Sequence, residues 1–386
     1  MTVADEGGSK IAFVIQRFGP EVIGGAEVLA LELARRLRES WRIEVLTSCA
    51  REYRDWANEY PAGETQWGGV VVRRFPVPFR RSPRWFPRLS AVAYRLDRLG
   101  VFPKPAQRLW ALAQGPVVPG LLRYIREHHA EFDVFVFFTY LYYPTLYGLP
   151  LVARKSVLVP TCHDEPPAYF SGHREVLGRA AHRLYLSQAE ADLVSRLIGE
   201  RAEPSEVAGF AVDVPETRGD SPPGDFFLYV GRIERGKNCE ELFDFSRRAG
   251  LRLVAIGPAQ IPVPDFVTHL GVVDDAEKTR VLKQCRALII PSKMESLSIV
   301  ALEAWSQGKP LIVPAGSAVL ADLVRASEGG YCYGDFSDFS RIVSEIDPGV
   351  GEKGRRWVQE HCCWEKILPI YQKALERVRD AGPTRE

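Results

Sequence analysis

Short apolar, β-branched segments alternate with longer segments of helical periodicity along the chain. Ile11 to Phe18 is the first apolar segment, and a helix predicted over Gly25 to Glu39 and a second strand, RIEVLTSC, follow it. Further strands are predicted at VVVRRFPV, DVFVFF, SVLVPTC and RLYLS, and further helices at about residues 117–129 and 188–199. Alternation of this kind predicts an α/β protein with parallel sheets.

A polar segment at residues 213–225, DVPETRGDSPPGD, interrupts the pattern. Its proline, glycine and aspartate content predicts an interdomain linker. A second series follows, with strands at FFLYVGRI, LRLVAIG, RALII, PLIVPA and GGYCY, and a last helix at about Glu365 to Asp380. With 386 residues, 46% of them hydrophobic, the chain is long and apolar enough for two cores.

Two glutamates lie where one of these strands meets its helix. RALII is broken by a Pro-Ser pair, and the next helix is predicted to begin near Ser298. Glu295 lies in the loop, and Glu303 lies a little over one turn inside the helix. Ligands of open parallel sheets bind beyond the carboxyl ends of the strands. The two carboxylates are therefore predicted to line one cleft and to contact different parts of an elongated ligand.

Two cations follow the strand FFLYVGRI in a similar way. This strand ends near Arg232, and Lys237 precedes a helix predicted to begin around Asn238. Cationic side chains and the unpaired N–H groups of a helix N-terminus both favour an anion such as phosphate. Because carboxylates accept hydrogen bonds from hydroxyls, the four side chains together predict a pocket for a nucleoside diphosphate sugar.

Four motifs occur in order along nearly the whole chain: GGAE at residues 24–27, TCHDEPP at 161–167, VGRIERGK, and the paired glutamates. In this order and spacing the chain resembles the retaining GT-B glycosyltransferases of the large group 1 family, whose pattern is related to that of glycogen synthases. The resemblance implies two Rossmann-like α/β domains facing each other across a cleft. It implies an acceptor-binding domain at 1–205, a nucleotide-sugar-binding domain at 206–363, and a terminal helix at 364–386 that crosses back to the first domain.

The resemblance also implies a role for each matching residue of the second domain. Glu295 would lie near the transferred sugar, Glu303 would hold the ribose hydroxyls, and Arg232 and Lys237 would stabilise the leaving diphosphate. Backbone amides between the two glutamates would approach the donor. Here the chain departs from the family pattern E-G-F-G, and small serines stand in place of glycine. The residues concerned are Ser296, Leu297, Ser298 and Ile299.

The segment GVVDDAEK has two interpretations. Acidic residues at a helix start commonly cap it, which would account for Asp274 and Asp275. In the family, however, this loop borders the nucleobase, which would make Asp275 and Lys278 donor-binding residues.

In the first domain, Gly24 and Gly25 either form a simple turn or, as the resemblance implies, let the backbone come close to the donor. Their surroundings lack the spacing G-x-G-x-x-G, which disfavours a hydride-transfer enzyme. His163 follows a predicted strand and matches the family histidine that faces the sugar, a catalytic position. Asp164 and Glu165 are expected either to orient this histidine or to contact the acceptor.

Composition excludes several other classes. A net charge of +1 argues against a nucleic-acid-binding protein. Seven cysteines without metal-ligand spacing indicate reduced thiols, and neither a signal core nor an apolar run of ~18 residues occurs, so we expect a cytoplasmic protein. No Asp-x-Asp motif occurs, so we expect Arg232 and Lys237 to replace a metal ion and expect no cofactor.

One segment is strongly basic. Ten Lys and Arg residues and one acid lie between Arg73 and Trp110, which leaves the rest of the chain at −8 (+1 minus +9). Basic residues interleaved with aromatic ones are typical of anionic membrane surfaces, where a helix near Leu89 to Leu99 would lie flat. The alternative is a solvated basic loop whose aromatic residues belong to the core. The aromatic residues are Phe75, Phe79, Trp85, Phe86, Tyr94, Phe102 and Trp110.

These observations predict a metal-independent, retaining, hexosyltransferase-like enzyme. It would transfer a sugar from a UDP- or GDP-linked donor to a sugar or lipid-linked acceptor alcohol, in cell-surface polysaccharide or glycolipid synthesis, with peripheral attachment to the inner face of the plasma membrane. One other hypothesis is a GT-B-fold nucleotide-sugar epimerase, which needs no acceptor. Another is a non-catalytic carbohydrate-binding relative, which the complete Arg/Lys/Glu/Glu set disfavours.

Overall fold

The computed structural model describes residues 9–22, 24–199, 204–215 and 224–382. Two compact units account for the chain: residues 1–208 together with 368–386, and residues 209–367. Most of the linker predicted at 213–225 lies outside the described residues, since positions 216–223 are not among them.

The first unit is built on a sheet that has eight strands in the described part of the chain. Its strand order is β3-β4-β2-β1-β5-β6-β7-β8, and every neighbouring pair is parallel except β3 with β4. The strands are β1 (Lys10–Val14), β2 (Arg42–Ser48), β3 (Gly63–Trp67), β4 (Val70–Phe75), β5 (Val134–Phe138), β6 (Ser156–Val159), β7 (His182–Tyr185) and β8 (Ser205–Val207).

Helices cover this sheet, and its central strands are buried except at Lys10, which explains their nearly continuous apolar sequences. The helices are α1 (Gly25–Leu37), α2 (Phe86–Arg98), α3 (Lys104–Gln114), α4 (Pro119–His128), α5 (Tyr143–Gly148), α6 (Ser171–Arg179) and α7 (Gln188–Ile198).

The second unit contains a sheet that is parallel throughout the described residues, in the order β11-β10-β9-β12-β13-β14. Its strands are β9 (Phe227–Val230), β10 (Leu253–Ile256), β11 (Val267–Gly271), β12 (Ala287–Ile289), β13 (Leu311–Pro314) and β14 (Gly330–Tyr333). Its helices are α8 (Cys239–Arg248), α9 (Asp275–Gln284), α10 (Ile299–Ser306), α11 (Ala318–Ser327), α12 (Phe336–Ser344) and α13 (Gly349–His361). The last helix, α14 (Trp364–Asp380), belongs to the first unit from Leu368 onward.

Both sheets have a point where the strand order reverses. In the first unit β1 lies between β2 and β5, and in the second unit β9 lies between β10 and β12. The connections on the two sides of such a point leave in opposite directions, which opens a crevice at the carboxyl ends of the strands. The segments after β9 and β12 carry the predicted cations and glutamates, so the topology places them at this crevice.

Candidate active site

The loop after β9 holds Arg232 by its backbone. Tyr229 Oη donates a hydrogen bond to the Arg232 carbonyl oxygen at 2.7 Å, and the Cys239 thiol lies 3.7 Å from the same oxygen. The Arg232 guanidinium lies 3.3 Å from a carboxylate oxygen of Glu234. The position of this arginine at the end of the strand is therefore determined by contacts with the strand itself and with the following helix.

A short turn, residues 235–237, brings Lys237 to the start of α8. Asn238 follows with φ of 58°, a left-handed conformation that asparagine tolerates well. Its Nδ2 donates to Glu241 Oε1 at 2.8 Å and to the Pro291 carbonyl oxygen at 3.3 Å. The second of these bonds ties the loop after β9 to the loop after β12.

Lys237 and Glu295 form an ion pair across that junction. Lys237 Nζ lies 2.8 Å from Glu295 Oε1, and the Glu295 side chain is only 10% exposed. A solvated loop glutamate, the ordinary role of this residue type, would be neither buried nor paired with a cation. The structure thus brings together two residues that lie 58 positions apart in the sequence.

The segment between the glutamates combines buried serines with an open helix start. Ser296 and Ser298 are buried, while Leu297 and Ile299 are half-buried. Ser298 is the N-cap of α10, and its hydroxyl makes no capping bond to the described backbone. Orphan N–H groups at such a helix start favour a negatively charged ligand.

Glu303 forms a second ion pair, one turn inside α10. Lys278 Nζ lies 2.9 Å from Glu303 Oε1 and 3.0 Å from Asp275 Oδ1. Burial raises the pKa of Glu303, against the opposing attraction of Lys278. Burial also acts on Lys278, but attraction by Glu303 and Asp275 outweighs it and raises the pKa of the lysine.

Of the two interpretations of GVVDDAEK, the structure bears on the capping one. Asp274 is the N-cap of α9 and accepts a hydrogen bond from the Glu277 backbone N–H at 2.8 Å, which confirms the capping role for this residue. Asp275 is 96% exposed and contacts Lys278. Lys278 thereby connects the start of α9 to Glu303.

In the first unit, Gly24 is the N-cap of α1, and Gly25 begins that helix. A Cβ atom on Gly24 would lie 2.1 Å from Glu27 Oε2, so the close packing of Glu27 requires a glycine at this position. Glu27 is buried and pairs with Arg17 at 2.6 Å, and Gln16 Nε2 donates to it at 2.8 Å. The glycine pair is therefore held against a buried polar network at the carboxyl end of β1.

His163, Asp164 and Glu165 follow β6, as predicted. Glu165 accepts a hydrogen bond from Tyr140 Oη at 2.8 Å, and Asp164 accepts one from Tyr169 Oη at 2.7 Å. His163 is partly buried, and its carbonyl oxygen accepts the Glu165 backbone N–H at 2.9 Å. Both carboxylates thus hold tyrosines of the same unit.

Three residues of the first unit are important for this region but were not recognised in the sequence: Arg17, Gln16 and Glu190. Glu190 is fully buried and accepts backbone N–H groups of Cys162 at 2.6 Å and Leu186 at 2.7 Å. Burial raises its pKa to about 8. It joins the ends of β6 and β7 directly before His163. The local sequence SQAE shows only that Glu190 is a carboxylate in the first turn of a helix. Helix capping would explain a glutamate at this position equally well.

The predicted site residues therefore divide between the two units. The first unit contains Gly24, Gly25, His163, Asp164 and Glu165, and the second contains the remaining predicted residues. Across the described ranges, no group of three or more histidine, cysteine, aspartate or glutamate side chains is arranged to bind a metal ion. Helices long and apolar enough to span a membrane are likewise absent from those ranges.

Comparison with known proteins identifies relatives over nearly the whole chain. Residues 218–347 match the family Glycosyl transferases group 1. D-inositol 3-phosphate glycosyltransferase 1 of Catenulispora acidiphila is 25% identical over 92% of this chain and 91% of its own length. The corresponding enzyme of Frankia alni is 22% identical over 76% of this chain and 78% of its own.

Solved structures agree on the fold. Sucrose-phosphate synthase of Thermosynechococcus elongatus superposes with a TM-score of 0.73 at 16% identity, covering 97% of this chain and all of that one. Anabaena HepE, solved with UDP and glucose, superposes with a TM-score of 0.67 at 15% identity, covering 96% of this chain and all of that one. These findings confirm the predicted GT-B fold, and the match over residues 218–347 supports the predicted resemblance to the group 1 glycosyltransferases.

Proposed function

We propose that this glycosyltransferase is a retaining enzyme that transfers a hexose from a nucleoside diphosphate, without a metal ion, to an acceptor alcohol. The second unit would bind the donor, and the first would bind the acceptor. UDP is the first donor to test, because HepE, whose fold is similar, was solved with UDP-glucose.

The observation that carries this proposal is the pair of ion pairs at the crevice of the second sheet. Lys237–Glu295 and Lys278–Glu303 place two cations and two carboxylates on neighbouring segments, with Arg232 on the same loop as Lys237. Such a set offers cations for a diphosphate and hydrogen-bond acceptors for hydroxyls. Ser298, at the start of α10, adds backbone donors beside them.

The proposed chemistry follows from the charge that develops during transfer. When the bond between the anomeric carbon and the diphosphate oxygen breaks, negative charge grows on the diphosphate. Arg232 and Lys237 would stabilise that charge in the transition state, where electrostatic stabilisation usually contributes most. A diphosphate at Lys237 would share or replace Glu295 as its partner, which leaves the Glu295 carboxylate available to the sugar. Glu303 would accept hydrogen bonds from the ribose hydroxyls.

The proposed acceptor is a sugar or lipid-linked alcohol of cell-surface polysaccharide or glycolipid synthesis. His163 would face the transferred sugar, and Asp164 and Glu165 would lie on the acceptor side. A lipid-linked acceptor would bring the enzyme to the inner face of the plasma membrane as a peripheral protein. The names of the two inositol 3-phosphate glycosyltransferases add a phosphorylated polyol to the candidate acceptors.

The test is a donor screen with the full chain. UDP- and GDP-sugars are titrated calorimetrically, and release of UDP or GDP is then followed with and without a panel of sugar, polyol phosphate and polyprenyl phosphate sugar acceptors. We expect one donor class to bind and its nucleotide to be released faster with an acceptor. The anomeric configuration of the product, read by NMR, should match that of the donor. Conversion of the donor sugar without nucleotide release would instead indicate the epimerase, and binding without any turnover the non-catalytic relative.

A further inference from the structure

Exposed apolar side chains are concentrated in one short part of the first unit. Fifteen large apolar side chains are exposed in the described ranges, and eight of them lie within residues 79–112. Phe79 is 75% exposed and Trp85 is 67% exposed. Apolar groups this concentrated normally mark a surface that contacts something other than water. The eight are Phe79, Trp85, Leu89, Val92, Leu99, Val101, Leu109 and Leu112.

Two packed helices present most of these side chains. Leu89, Val92 and Leu99 lie on the outer side of α2 or directly after it, whereas Ser90 on the inner side is buried. Trp110 of α3 donates its indole N–H to Ser90 Oγ at 3.0 Å, which joins the two helices. Leu109 and Leu112 are then exposed on the outer side of α3. The apolar side chains therefore stand on a fixed scaffold.

Most of the aromatic residues in this segment form that scaffold, in agreement with the alternative that places them in the core of the first domain. Trp110 is buried, and Phe86 and Tyr94 pack against it with ring centroids 5.7 and 5.8 Å away. Phe75 and Phe102 are also packed on the core of the first unit. Only Phe79 and Trp85 of the seven aromatic residues are exposed. The other exposed apolar side chains of this segment are leucines and valines.

Seven exposed cations surround the apolar side chains. None of the seven forms an ion pair with an acidic side chain of the described ranges. The only acid in residues 79–112 is Asp97, which is partly buried, so burial raises its pKa. The seven are Arg80, Arg84, Arg88, Arg95, Arg98, Lys104 and Arg108. We call these cations and the eight apolar side chains the apolar-basic surface.

The positive charge continues into a cavity beside this surface. The cavity has a volume of about 750 Å³ and shares Lys104 and Arg108 with the apolar-basic surface. Three further arginines, on α6 and β7, line it together with one acid, Glu175. Glu175 is already paired with one of them, Arg179, at 2.6 Å. A cavity of this composition has the size and charge for a phosphate-bearing headgroup.

We propose that the apolar-basic surface docks the enzyme onto an anionic phospholipid membrane, with the phosphate of a headgroup at the mouth of the cavity. Apolar side chains would enter the interfacial layer, and the cations would contact lipid phosphates. A second copy of this chain is a poor occupant, because a two-fold contact would place seven unpaired cations against the same seven. The choice of membrane partner rests on the proposed lipid-linked acceptor, although docking itself requires no turnover.

The test is co-sedimentation of the full chain with vesicles. Vesicles of phosphatidylcholine alone are compared with vesicles of equal parts phosphatidylglycerol and phosphatidylcholine. Each type is tested at roughly 0.05 and 0.5 M salt, which screen charge interactions weakly and strongly. We expect binding to the anionic vesicles only, weakened by salt. Arg84→Glu/Arg95→Glu should lower the partition coefficient by about tenfold or more, and Trp85→Ser/Leu109→Ser should lower it at both salt concentrations.

Matched controls separate this surface from general charge and hydrophobicity. Arg325→Glu/Arg341→Glu and Val272→Ser alter comparably exposed residues of the second unit and should bind like the wild type. Equal, weak binding of the wild type to both vesicle types would overturn the proposal, and that comparison needs no variant to fold. A dimer of the wild type, seen by light scattering and dissociated by Trp85→Ser, would also overturn the proposal. Because sedimentation is measured without donor or acceptor, failure here leaves the glycosyltransferase assay unaffected.

Discussion

At the scale of single residues, the pair Lys237–Glu295 leads to a direct prediction. Lys237→Ala and Glu295→Ala should each lower kcat by at least about 100-fold, because each removes a charge from the reacting centre. The Tm of both variants should stay within a few degrees of the wild-type value, since the pair lies in the loops after β9 and β12 and not in the apolar core. Turnover is measured under saturating donor, and folding by circular dichroism.

Lys353→Ala is the matched control for this experiment. Lys353 pairs with Glu328 at 2.7 Å in the same unit, but both side chains are largely exposed and lie on α13 and after α11. An exposed ion pair contributes roughly 0–1 kcal/mol, so both activity and stability should be nearly unchanged. Near wild-type turnover in Lys237→Ala as well would remove Lys237 from the active site.

The raised pKa of Glu303 predicts how donor binding depends on pH. Only the ionised carboxylate accepts hydrogen bonds from both ribose hydroxyls. As the pH falls toward the raised pKa, Glu303 is protonated and affinity for a UDP-sugar should fall, starting at a higher pH than for a glutamate of ordinary pKa.

Glu303→Gln provides the control for that profile. Glutamine keeps the shape but not the charge, so affinity should be lower by about tenfold or more and should no longer vary in this pH range. Calorimetry at a series of pH values from about 4.3, the ordinary pKa of glutamate, upward past neutrality measures both proteins. A wild-type profile that is flat, or identical to that of the variant, would contradict the assignment of Glu303 to the ribose.

Residues whose role depends on distant partners were the ones that the sequence did not reveal. Glu295 and Lys237 stand beside strand ends and helix starts, so local spacing was sufficient to select them. Glu190 instead connects to Cys162, 28 residues away, and the network around Glu27 includes Ser48 and Thr139 through Gln16. Such connections are set by the packing of the whole sheet and leave no local pattern.

At the scale of elements, two strand ends approach each other so closely that one of them requires glycine. A Cβ on Gly257, after β10, would lie 2.1 Å from the Gly231 carbonyl oxygen, and φ at Gly257 is +128°. Gly257→Ala should therefore displace the loop that carries Arg232. We expect a stability loss of roughly 1–3 kcal/mol and a weaker UDP-sugar affinity, measured by thermal unfolding and calorimetry.

Gly250→Ala distinguishes the clash from backbone strain alone. Gly250 follows α8 with φ of +64°, and a Cβ there would have no atom within 4 Å. This variant should lose stability through strain but keep its affinity for the donor. Equal loss of affinity in both variants would show that the approach of Gly257 to Gly231 does not position Arg232.

Helices and strands with a strong apolar period were predictable from the sequence. Those that depend on close packing against another element were not. Strands such as β5 and β12 are continuous apolar segments, and α1 and α7 lie within two residues of their predicted ends. In contrast, α13 contains three glycines and was missed. A Cβ on Gly354 would lie 2.2 Å from Trp305 Cδ1, and one on Gly351 would lie 2.1 Å from the Gly308 carbonyl oxygen. Close packing against α10 thus requires residues of poor helix propensity.

Three edge strands, β3, β8 and β11, were missed, and two of them for a related reason. β3, GETQW, and β11, VTHLG, are largely exposed and polar, and they have no apolar period of their own. β3 pairs with β4 in an antiparallel hairpin, and β11 extends the second sheet beside β10. Pairing with a neighbour determines such strands, so their sequences carry little signal.

At the scale of the whole molecule, the order of motifs predicted the fold. The motif VGRIERGK and the paired glutamates lie in the second unit, and GGAE and TCHDEPP lie in the first. The described chain superposes on solved GT-B structures over nearly its full length. The segment at residues 79–112 could be predicted only in part. Charge is visible in a sequence, but whether an aromatic residue faces the core or water depends on the packing of α2 and α3.

The distribution of charge also leads to a prediction about metal ions. Glycosyltransferases that hold the diphosphate through a metal ion use carboxylate motifs such as Asp-x-Asp, and this chain contains none. Arg232 and Lys237 supply positive charge at the strand end instead, and α10 adds its N-terminal N–H groups. We therefore expect turnover to persist in excess EDTA at close to its full rate. Complete loss of wild-type turnover in EDTA, restored by either metal, would show that these cations do not replace a metal ion.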